Sequence, residues 1–234
     1  MSEIQKCDIP VLFEDKALLI AEKPAGMPSQ PDPSGQTDLL TVLSADRPGL
    51  GLIHRLDTPT GGVMIFGKTP AAAARLSALV QDHETVRKEY LCVLSRPPET
   101  DSGDWTDLLY HDARQNKSFA VTSERKGAKR ARLTYSVAAR DDAGHTLVRV
   151  RLFTGRTHQI RAQFSSRGLP LVGDGRYGSR EKAPGLALWA ARLSLPHPIT
   201  GKPVQAVSLP DKTRFPWSCF GDEAWTDIFD TKEN

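Results

Sequence analysis

Asp57 is the side chain whose surroundings in this sequence point most directly to chemistry. It lies in HRLDTPTGG at 54–62, between apolar runs that predict strands at 50–56 and 62–67. A carboxylate on a loop at the end of a strand is held by a rigid scaffold, and reacting groups are often found in such places. Taken alone, however, the stretch is more typical of a plain turn, because Asp, Pro and Gly all favour turns.

A second motif, TGRTHQIRAQF at 154–164, predicts a helix over 157–167 with Thr157 as its N-cap and a glycine as its stop. Since this helix would pack through an apolar face formed by Ile160 and Phe164, Arg161 in its first turns would lie beside the sheet. There we expect the guanidinium of Arg161 to pair with the carboxylate of Asp57. A solvated arginine on the helix surface is the alternative.

Several motifs of this chain together match one protein family, in the family's order. They are HRLDTPTGG at 54–62, RKEYLCVL at 87–94, TGRTHQIRAQF at 154–164, LVGDGRYG at 171–178 and LALWAARLSLPHPITG at 186–201. With them the chain resembles the RluA-like pseudouridine synthases, enzymes that isomerise uridine in structured RNA, over about 12–209. The resemblance implies an α+β fold, in which a mixed, mostly antiparallel, bent β-sheet is flanked by a few helices and the catalytic cleft crosses the sheet.

The chain departs from the family pattern at a few positions. The family usually has Thr-Ser-Gly where Thr60, Gly61 and Gly62 stand, and it has histidine at Gln163 and often at Trp189. None of these changes touches the core chemistry, but they limit the transfer of RNA-contact residues and of target choice. Many relatives carry an N-terminal S4-type RNA-binding domain, which we do not expect here because few residues precede the first strand pattern.

The reaction of the family explains the residue types. Turning uridine into pseudouridine breaks the bond from C1′ to N1, turns the base over and rejoins it through C5. Because there is no net redox change, no cofactor is required. An ionised carboxylate can act as a nucleophile or as an electrostatic stabiliser. The resemblance assigns that role to Asp57, with attack on C1′, attack on C6 and assistance to glycal formation left open.

Tyr90, Arg161 and Arg55 complete the set that the resemblance implies at the reacting uridine. The nucleotide must leave its stack to be reached, which calls for a stacking surface. Tyr90 is expected to stack on the base or to handle a proton, and a core or edge tyrosine is the alternative. Arg161 is expected to keep Asp57 ionised, and Arg55 to enter the RNA stack in place of the flipped base. We expect Asp57, Tyr90 and Arg161 to converge in one basic groove.

A wider group of side chains is predicted to bind RNA. Outside the basic loop these are His54, Thr60, Lys88, Thr157, His158, Gln159 and Leu188. A glycine-containing loop before the strand ARLTYSVAA is predicted to grip phosphates without reading sequence. This basic cluster consists of Arg125, Lys126, Lys129, Arg130 and Arg132. A solvated surface loop is the alternative.

The charge distribution supports an RNA partner. The whole chain carries +3, whereas the tail at 221–234 has five acids against one lysine and carries −4, so residues 1–220 carry +7. The charged residues of the tail are Asp222, Glu223, Asp227, Asp230, Lys232 and Glu233. We therefore predict a structured rRNA or tRNA stem-loop as the partner of a monomer that needs no obligate protein partner.

Length and composition set the remaining bounds. With 234 residues and no visible linker or repeat, a single catalytic domain over 1–234 is favoured, with its core at about 12–209. Cys7, Cys92 and Cys219 are odd in number and widely spaced, which indicates a reducing compartment. Neither the cysteines nor the histidines show metal-ligand spacing, so no metal is predicted. No signal peptide is visible and the apolar run ALLIA is too short to span a membrane, which favours a cytoplasmic protein.

Strand patterns outnumber helical patterns, which favours α+β. Strands are predicted near 10–13, 17–22, 50–56, 62–67, 86–94, 118–122, 131–139, 146–153, 186–194 and 204–208. Helices are predicted at 37–45, 70–81 and 157–167. The helix at 70–81 has the clearest start, with Thr69 as N-cap and Pro70 at the first helical position.

Two other functions match parts of the sequence. GVMIFGKT at 62–69 fits the phosphate-loop pattern G-x-x-x-x-G-K-[ST]. Its middle residues nevertheless predict a buried strand instead of a loop around phosphate, so nucleotide binding is a remote alternative. An RNA-binding module without catalysis is the closer one. Only the set of Asp57, Tyr90 and Arg161 distinguishes such a module from an enzyme.

Overall fold

The computed structural model describes residues 8–82, 84–226 and 228–229. The chain divides into two compact units. Unit 1 comprises Met1–Arg87 and Ala190–Ser208, and unit 2 comprises Lys88–Trp189 and Leu209–Asn234. The single catalytic domain over 1–234 stays a prediction. Residues considered above that lie outside the described part are Cys7, Asp227, Asp230, Lys232 and Glu233.

Strands outnumber helices among the described residues, as expected. The strands are β1 (Val11–Glu14), β2 (Leu18–Lys23), β3 (Gly51–Leu52), β4 (Gly61–Gly67), β5 (Arg87–Leu94), β6 (Ser102–Asp112), β7 (Lys117–Val121), β8 (Ala128–Arg140), β9 (Thr146–Leu152), β10 (Leu188–Pro196) and β11 (Pro203–Val207). The α-helices are α1 (Leu39–Ser44), α2 (Pro70–Leu79) and α3 (Gln159–Ser166). The predicted fold class, α+β with a mixed, mostly antiparallel sheet and few helices, is confirmed. The catalytic cleft across the sheet stays a prediction.

The sheet of unit 1 has the strand order β1-β2-β4-β10, with β3 on β4 and β11 on β10. β2 and β4 pair antiparallel, and this register sets Lys23 opposite Gly62. Gly62 has a φ of +114°, and a Cβ there would lie 2.1 Å from the carbonyl oxygen of Ala190. Only glycine fits both the conformation and this close approach. The Asp57 loop therefore enters β4 through a tightly specified glycine.

The core of unit 1 forms where β2, β4 and β10 bury their apolar side chains under α2. β4 is buried at every position, because it is an inner strand of the sheet. α2 begins as predicted: Thr69 accepts a hydrogen bond from the backbone N–H of Ala72, and Pro70 stands in the first turn. In α1, Asp38 caps the helix by accepting from the backbone N–H of Thr41.

The sheet of unit 2 has the strand order β5-β9-β8-β6-β7, and each of these pairings is antiparallel. The predicted packing face of α3 is confirmed, because Ile160 and Phe164 are buried in one cluster with side chains of β5, β8 and β9. The predicted glycine stop is also confirmed. Gly168 has a φ of +70°, and its N–H donates to the carbonyl of Ser165.

The start of α3 differs from the prediction. Thr157 is not the N-cap: the helix begins at Gln159, and His158 precedes it in the left-handed conformation with a φ of 52° and no side-chain cap. The side-chain oxygen of Gln159 instead accepts from the backbone N–H of Arg156 at 3.1 Å. The side chain of Gln159 thus satisfies a backbone donor just ahead of the helix, and the N–H of Gln159 donates back to the carbonyl of Arg156 at 3.0 Å.

Two strand predictions were also wrong. The strand predicted at 50–56 ends at Leu52, because the N–H and C=O of Leu56 bond to the hydroxyl of Ser29 instead of joining a strand ladder. β6 was not predicted at all, since its sequence SGDWTDLLYHD contains Gly and Asp, which are rare in strands. Pairing with β8 along nearly the whole of β6 outweighs that local preference.

Candidate active site

Asp57 lies in a tight turn that leads into β4. The backbone N–H of Thr60 donates to the carbonyl of Asp57 at 2.9 Å, which closes the turn. Asp57 is half-buried, whereas Arg55, two residues earlier, is exposed. The sequence suggested either a plain turn or a catalytic loop. The segment is a turn, which is compatible with both alternatives.

The residues on both sides of Asp57 are fastened to the segment at 23–29. The hydroxyl of Ser29 donates to the carbonyl of Leu56 at 2.8 Å and accepts from its N–H at 3.1 Å. The N–H of Gly26 donates to the carbonyl of Thr58 at 2.8 Å. Since both peptide neighbours of Asp57 are held, its backbone has little freedom.

Lys23 is the third anchor of this loop. Its side chain is fully buried, and its Nζ donates to the carbonyls of Pro24 at 2.9 Å, Met27 at 2.5 Å and Thr58 at 3.1 Å. A buried ammonium is tolerated only when its donors are satisfied, and here three carbonyls satisfy all three. Lys23 thus ties together the two segments that meet around Asp57.

The environment of Lys23 lowers its pKa from 10.5 to about 8. Burial is the main cause, because it penalises the charged form, while the negative charge of Asp57 opposes the shift by raising the pKa. The charge of Asp57 therefore favours the protonated form of Lys23. Nothing in the sequence marks this lysine, because a lysine at the end of a strand is ordinarily solvated.

We expect Lys23→Met to lower kcat/KM on the order of 10²-fold, the scale of loss that a small misplacement of a catalytic group produces. In the wild-type protein, kcat/KM should fall as the pH rises through about 8, because the neutral amine has two hydrogens for three carbonyls and no charge beside Asp57. The pH profiles of both proteins test this.

Stability should change in the opposite direction over the same pH range. Between about 8 and 10.5 the unfolded chain holds a proton on Lys23 that the folded chain has lost, so this group makes the free energy of unfolding rise with pH. The exposed Lys16 offers a matched control. Lys16→Met should leave the pH dependence of both kcat/KM and the free energy of unfolding as in the wild-type protein. An alkaline decline in kcat/KM that persists in Lys23→Met would assign the decline to another titrating group.

The other predicted residues of unit 1 have different surroundings. His54 is half-buried, and its Nε2 accepts from the backbone N–H of Ile65 at 3.3 Å. Thr60 is only 2% exposed, and within the described part of the chain its buried hydroxyl has no hydrogen-bond partner. Their predicted contacts with RNA, like that of Arg55, stay predictions.

Arg161 forms a buried ion pair with Asp174, a carboxylate that had no predicted role. Its Nε and Nη2 donate to the two oxygens of Asp174 at 2.7 Å and 2.9 Å, and the two side chains are 6% and 2% exposed. The ring of Tyr177 lies 4.9 Å from the guanidinium carbon of Arg161. The two hydrogen bonds to Asp174 fix the plane of the Arg161 guanidinium. The predicted pairing of Arg161 with Asp57 stays a prediction.

Asp174 is positioned by the glycine-rich motif LVGDGRYG at 171–178. The preceding Gly173 has a φ of +78°, and a Cβ there would lie 2.1 Å from the carbonyl oxygen of Gly185. The N–H of Asp174 donates to the carbonyl of Leu171 at 3.0 Å. The motif therefore forms a tight turn that presents one buried carboxylate to α3.

Tyr90 and Lys88 lie on one face of β5, because side chains two residues apart in a strand point to the same side. Tyr90 is half-buried and packs against the hydrophobic cluster of unit 2. Burial lowers the pKa of Lys88. A tyrosine packed through its ring suits both the core role and the stacking role left open by the sequence.

His158 and Thr157 lie just before α3. The Nδ1 of His158 is 3.1 Å from the hydroxyl of Tyr177, so His158 and Arg161 both contact the same tyrosine. Thr157 is exposed, and its carbonyl accepts from the hydroxyl of Ser118 at 2.6 Å. Gln159 and Leu188 are 3% and 5% exposed, so both are core positions in this structure. Contacts of these four residues with RNA stay predictions.

The basic cluster lies partly on a strand, so its placement wholly in a loop was wrong. Arg125 and Lys126 precede β8, whereas Lys129, Arg130 and Arg132 belong to it, because the pairing with β6 extends to Ala128. All five are exposed. Arg125 lies over the ring of Tyr110 at 3.8 Å, and Arg132 forms a two-point ion pair with Asp104 at 3.0 Å and 2.7 Å.

The candidate residues group differently in the two units. Asp57 lies on the anchored turn of unit 1, and Arg161 forms its ion pair with Asp174 within unit 2. Tyr90 belongs to unit 2 as well. The convergence of Asp57, Tyr90 and Arg161 in one groove stays a prediction.

The phosphate-loop pattern does not form a phosphate loop. Val63–Phe66 lie within the buried strand β4, as predicted. Lys68 donates to Glu14 at 2.7 Å, and Thr69 caps α2. The backbone N–H groups that would surround a phosphate are used in the sheet instead.

None of the helices in the described residues is both long enough and apolar enough to cross a bilayer.

Comparison with known proteins connects these features to one family. The family model described as RNA pseudouridylate synthase matches residues 17–166, which is more than half of the chain. The matched range contains the anchored turn with Asp57, the strand with Tyr90 and the helix with Arg161.

Several curated relatives are about one-third identical to this chain. The dual-specificity RNA pseudouridine synthase RluA of Yersinia pestis is 33% identical, with 83% of this chain and 95% of the relative covered. The ribosomal large subunit pseudouridine synthase D of Pseudomonas aeruginosa is 34% identical, with 84% and 67% covered. An uncharacterised RNA pseudouridine synthase of Synechocystis is 32% identical, and this chain spans 66% of its length.

Solved structures support the fold. Human RNA pseudouridylate synthase domain containing 1 aligns with a TM-score of 0.79 at 20% identity, covering 100% of this chain and 99% of that one. Human RNA pseudouridylate synthase domain containing 4 aligns with a TM-score of 0.73 at 23% identity, covering 87% and 89%. With the match over 17–166 and the similarity to RluA along almost its whole length, this chain belongs to the RluA-like RNA pseudouridine synthases, a family of isomerases.

Proposed function

We propose that this chain converts a specific uridine in a stem-loop of rRNA or tRNA to pseudouridine, with Asp57 as nucleophile or electrostatic catalyst. The observation that carries the proposal is the family match over 17–166, which includes Asp57, Tyr90 and Arg161. Relatives named as pseudouridine synthases of the large ribosomal subunit favour an rRNA target. Because another relative is named as dual-specific, we retain tRNA as the alternative target.

The chemistry proposed for Asp57 follows from the bonds that change. The C1′–N1 bond breaks and a C1′–C5 bond forms, C5 releases its proton to solvent, and N1 takes one up. Breaking a glycosidic bond develops positive charge on the sugar, which an ionised carboxylate stabilises or captures. The three anchors of the loop, Lys23, Gly26 and Ser29, support this role because they fix the backbone on both sides of Asp57 before RNA binds.

The remaining roles concern the extruded nucleotide. Tyr90 would stack on the base or transfer a proton, and the exposed Arg55 would fill the gap that the base leaves in the RNA. Arg161 would hold its charge toward Asp57, while its pair with Asp174 fixes the plane of the guanidinium. We further propose that the protein acts as a monomer in the cytoplasm.

The basic cluster would bind phosphates and set the register of the RNA. Reversing the charge of Arg125, Lys126, Lys129 and Arg130 to glutamate should weaken RNA binding without changing the rate at saturating RNA. The slope of log Kobs against log salt should become shallower by about 0.7–0.9 for each phosphate that the variant no longer neutralises. Binding titrations at several salt concentrations measure this slope.

Arg140 offers a matched control for the charge-reversal variant. It is an exposed arginine at the other end of β8, where it pairs with Asp101. Arg140→Glu should leave the salt dependence nearly unchanged. A charge-reversed basic cluster with the wild-type slope would remove these residues from the RNA footprint.

Tritium release separates an enzyme from an RNA-binding module without catalysis. RNA from cells that lack the protein, labelled with tritium at C5 of uridine, should lose label to water when the purified chain is added. The release should need neither ATP nor an added cofactor. A chain that binds this RNA tightly and releases no tritium would support the non-catalytic alternative and refute the proposal.

A further inference from the structure

A second polar cluster lies in unit 2 and shares no residue with the proposed catalytic set. Asp141 and His145 come from the turn between β8 and β9, Glu181 comes from the loop before β10, and Cys219 comes from a short 3-10 helix. The ligand atoms of Asp141, His145 and Cys219 all lie within 4.8 Å of one another, and all three residues are half-buried. Three distant segments thus bring oxygen, nitrogen and sulfur donors to one point.

The imidazole of His145 has a carboxylate at each nitrogen. Its Nδ1 is 2.6 Å from Asp141 Oδ2, and its Nε2 is 2.6 Å from Glu181 Oε1. Histidines that bind metals usually donate the proton of the second nitrogen to a carboxylate, which orients the ring. Glu181 meets that requirement, so the Nδ1 side, where Asp141 lies, is the side available for a cation.

The donor set selects the class of cation. Zinc binds thiolate at about 2.3 Å and imidazole nitrogen or carboxylate oxygen at about 2.0–2.2 Å, so tetrahedral ligand atoms lie roughly 3.3–3.6 Å apart. The spacing of Asp141, His145 and Cys219 reaches that range with side-chain shifts of about 1 Å. Magnesium and calcium prefer oxygen alone, and a thiol beside an imidazole favours zinc over both.

The local charge also favours a cation. Two carboxylates surround one imidazole, and no lysine or arginine of the described chain forms an ion pair with Asp141 or Glu181. The ring of Phe215 covers His145 edge-on, with 5.6 Å between ring centroids, and Trp217 beside Cys219 is buried. The cluster is thus partly shielded from water, which strengthens its attraction for a divalent ion.

We propose that Asp141, His145 and Cys219 bind a divalent cation of the zinc type, with Glu181 accepting the Nε2 proton of His145. Water would fill the fourth position of the tetrahedron. The bound ion would fasten the segment around Cys219 to the turn between β8 and β9. No metal was predicted from the sequence, because Cys219 and Glu181 are far from Asp141 and His145 in the chain.

Cobalt(II) is the probe that tests this site. After chelator treatment, the full-length protein titrated with Co²⁺ should develop a thiolate-to-cobalt charge-transfer band that saturates at one ion per chain and disappears when Zn²⁺ is added. Cys219→Ser should abolish this band, whereas Cys7→Ser should retain it. A chain with no band at equimolar Co²⁺, or a Cys219→Ser variant with the full band, would overturn the proposal.

Two further measurements guard against a variant that fails to fold. Glu181→Gln keeps the three ligands and should weaken Zn²⁺ binding about 10–100-fold, the usual effect of losing a carboxylate behind a metal-bound histidine. Zn²⁺ should raise the melting temperature of the wild-type protein and leave that of Asp141→Asn unchanged. Equal Zn²⁺ affinity in Glu181→Gln and wild type, or equal thermal shifts in Asp141→Asn and wild type, would contradict this assignment.

Discussion

Asp57→Asn is expected to abolish isomerisation while leaving RNA affinity near the wild-type value. The substitution keeps the size of the side chain and removes only its charge, and removing an electrostatic stabiliser typically costs about 10²–10³-fold in rate. If Asp57 is the nucleophile, the loss should be larger, because the amide forms no covalent intermediate. Single-turnover rates of pseudouridine formation and equilibrium binding, measured on the same RNA, separate the two effects.

Asp46→Asn provides the matched control. Asp46 is an exposed carboxylate of the same unit, so its replacement should change neither rate nor affinity. Full activity in Asp57→Asn would refute the catalytic assignment. A parallel loss of RNA binding would show that the charge of Asp57 serves binding of the substrate instead of the transition state.

Loss of the buried ion pair between Arg161 and Asp174 should strongly destabilise the protein. Arg161→Ala and Asp174→Ala should each lower the free energy of unfolding by about 3–5 kcal/mol, because the remaining charge is stranded in a buried site. Arg161→Ala should also abolish activity. Denaturant unfolding followed by tryptophan fluorescence measures the change in stability.

A double variant separates the structural role of Arg161 from its catalytic role. Arg161→Met combined with Asp174→Leu removes both charges and replaces them with apolar side chains, so much of the lost stability should return. Activity should stay absent, because no guanidinium remains to act with Asp57. Recovery of activity together with stability would mean that Arg161 serves only the fold.

The fold and the motif residues were largely predictable because their signals are local. The apolar runs of β2 and β4, the alternation of β9 and the Thr69-Pro70 start of α2 depend on neighbours in the chain, and each formed as expected. The burial of Ile160 and Phe164 followed from helical spacing in the same way. Such features need no knowledge of distant contacts.

The features that were missed depend on partners far away in the sequence. β6 forms against its own local preference because β8 pairs with it. Lys23 is buried because the carbonyl of Thr58 lies within reach of its Nζ. The ion pair of Asp174 could not be predicted, because it forms only where the fold places α3 and Arg161 beside Asp174. Periodicity and propensity contain no information about which distant groups will meet.

The central claim, that this chain isomerises a defined uridine through Asp57, is tested most directly in cells. Pseudouridine is mapped across the transcriptome in cells that lack the protein and in the same cells supplied with the wild-type chain or with Asp57→Asn. We predict that a discrete uridine, in a stem-loop of rRNA or tRNA, loses its modification without the protein, regains it with the wild-type chain and does not regain it with Asp57→Asn. An unchanged map in cells without the protein, or full restoration by Asp57→Asn, would contradict the account.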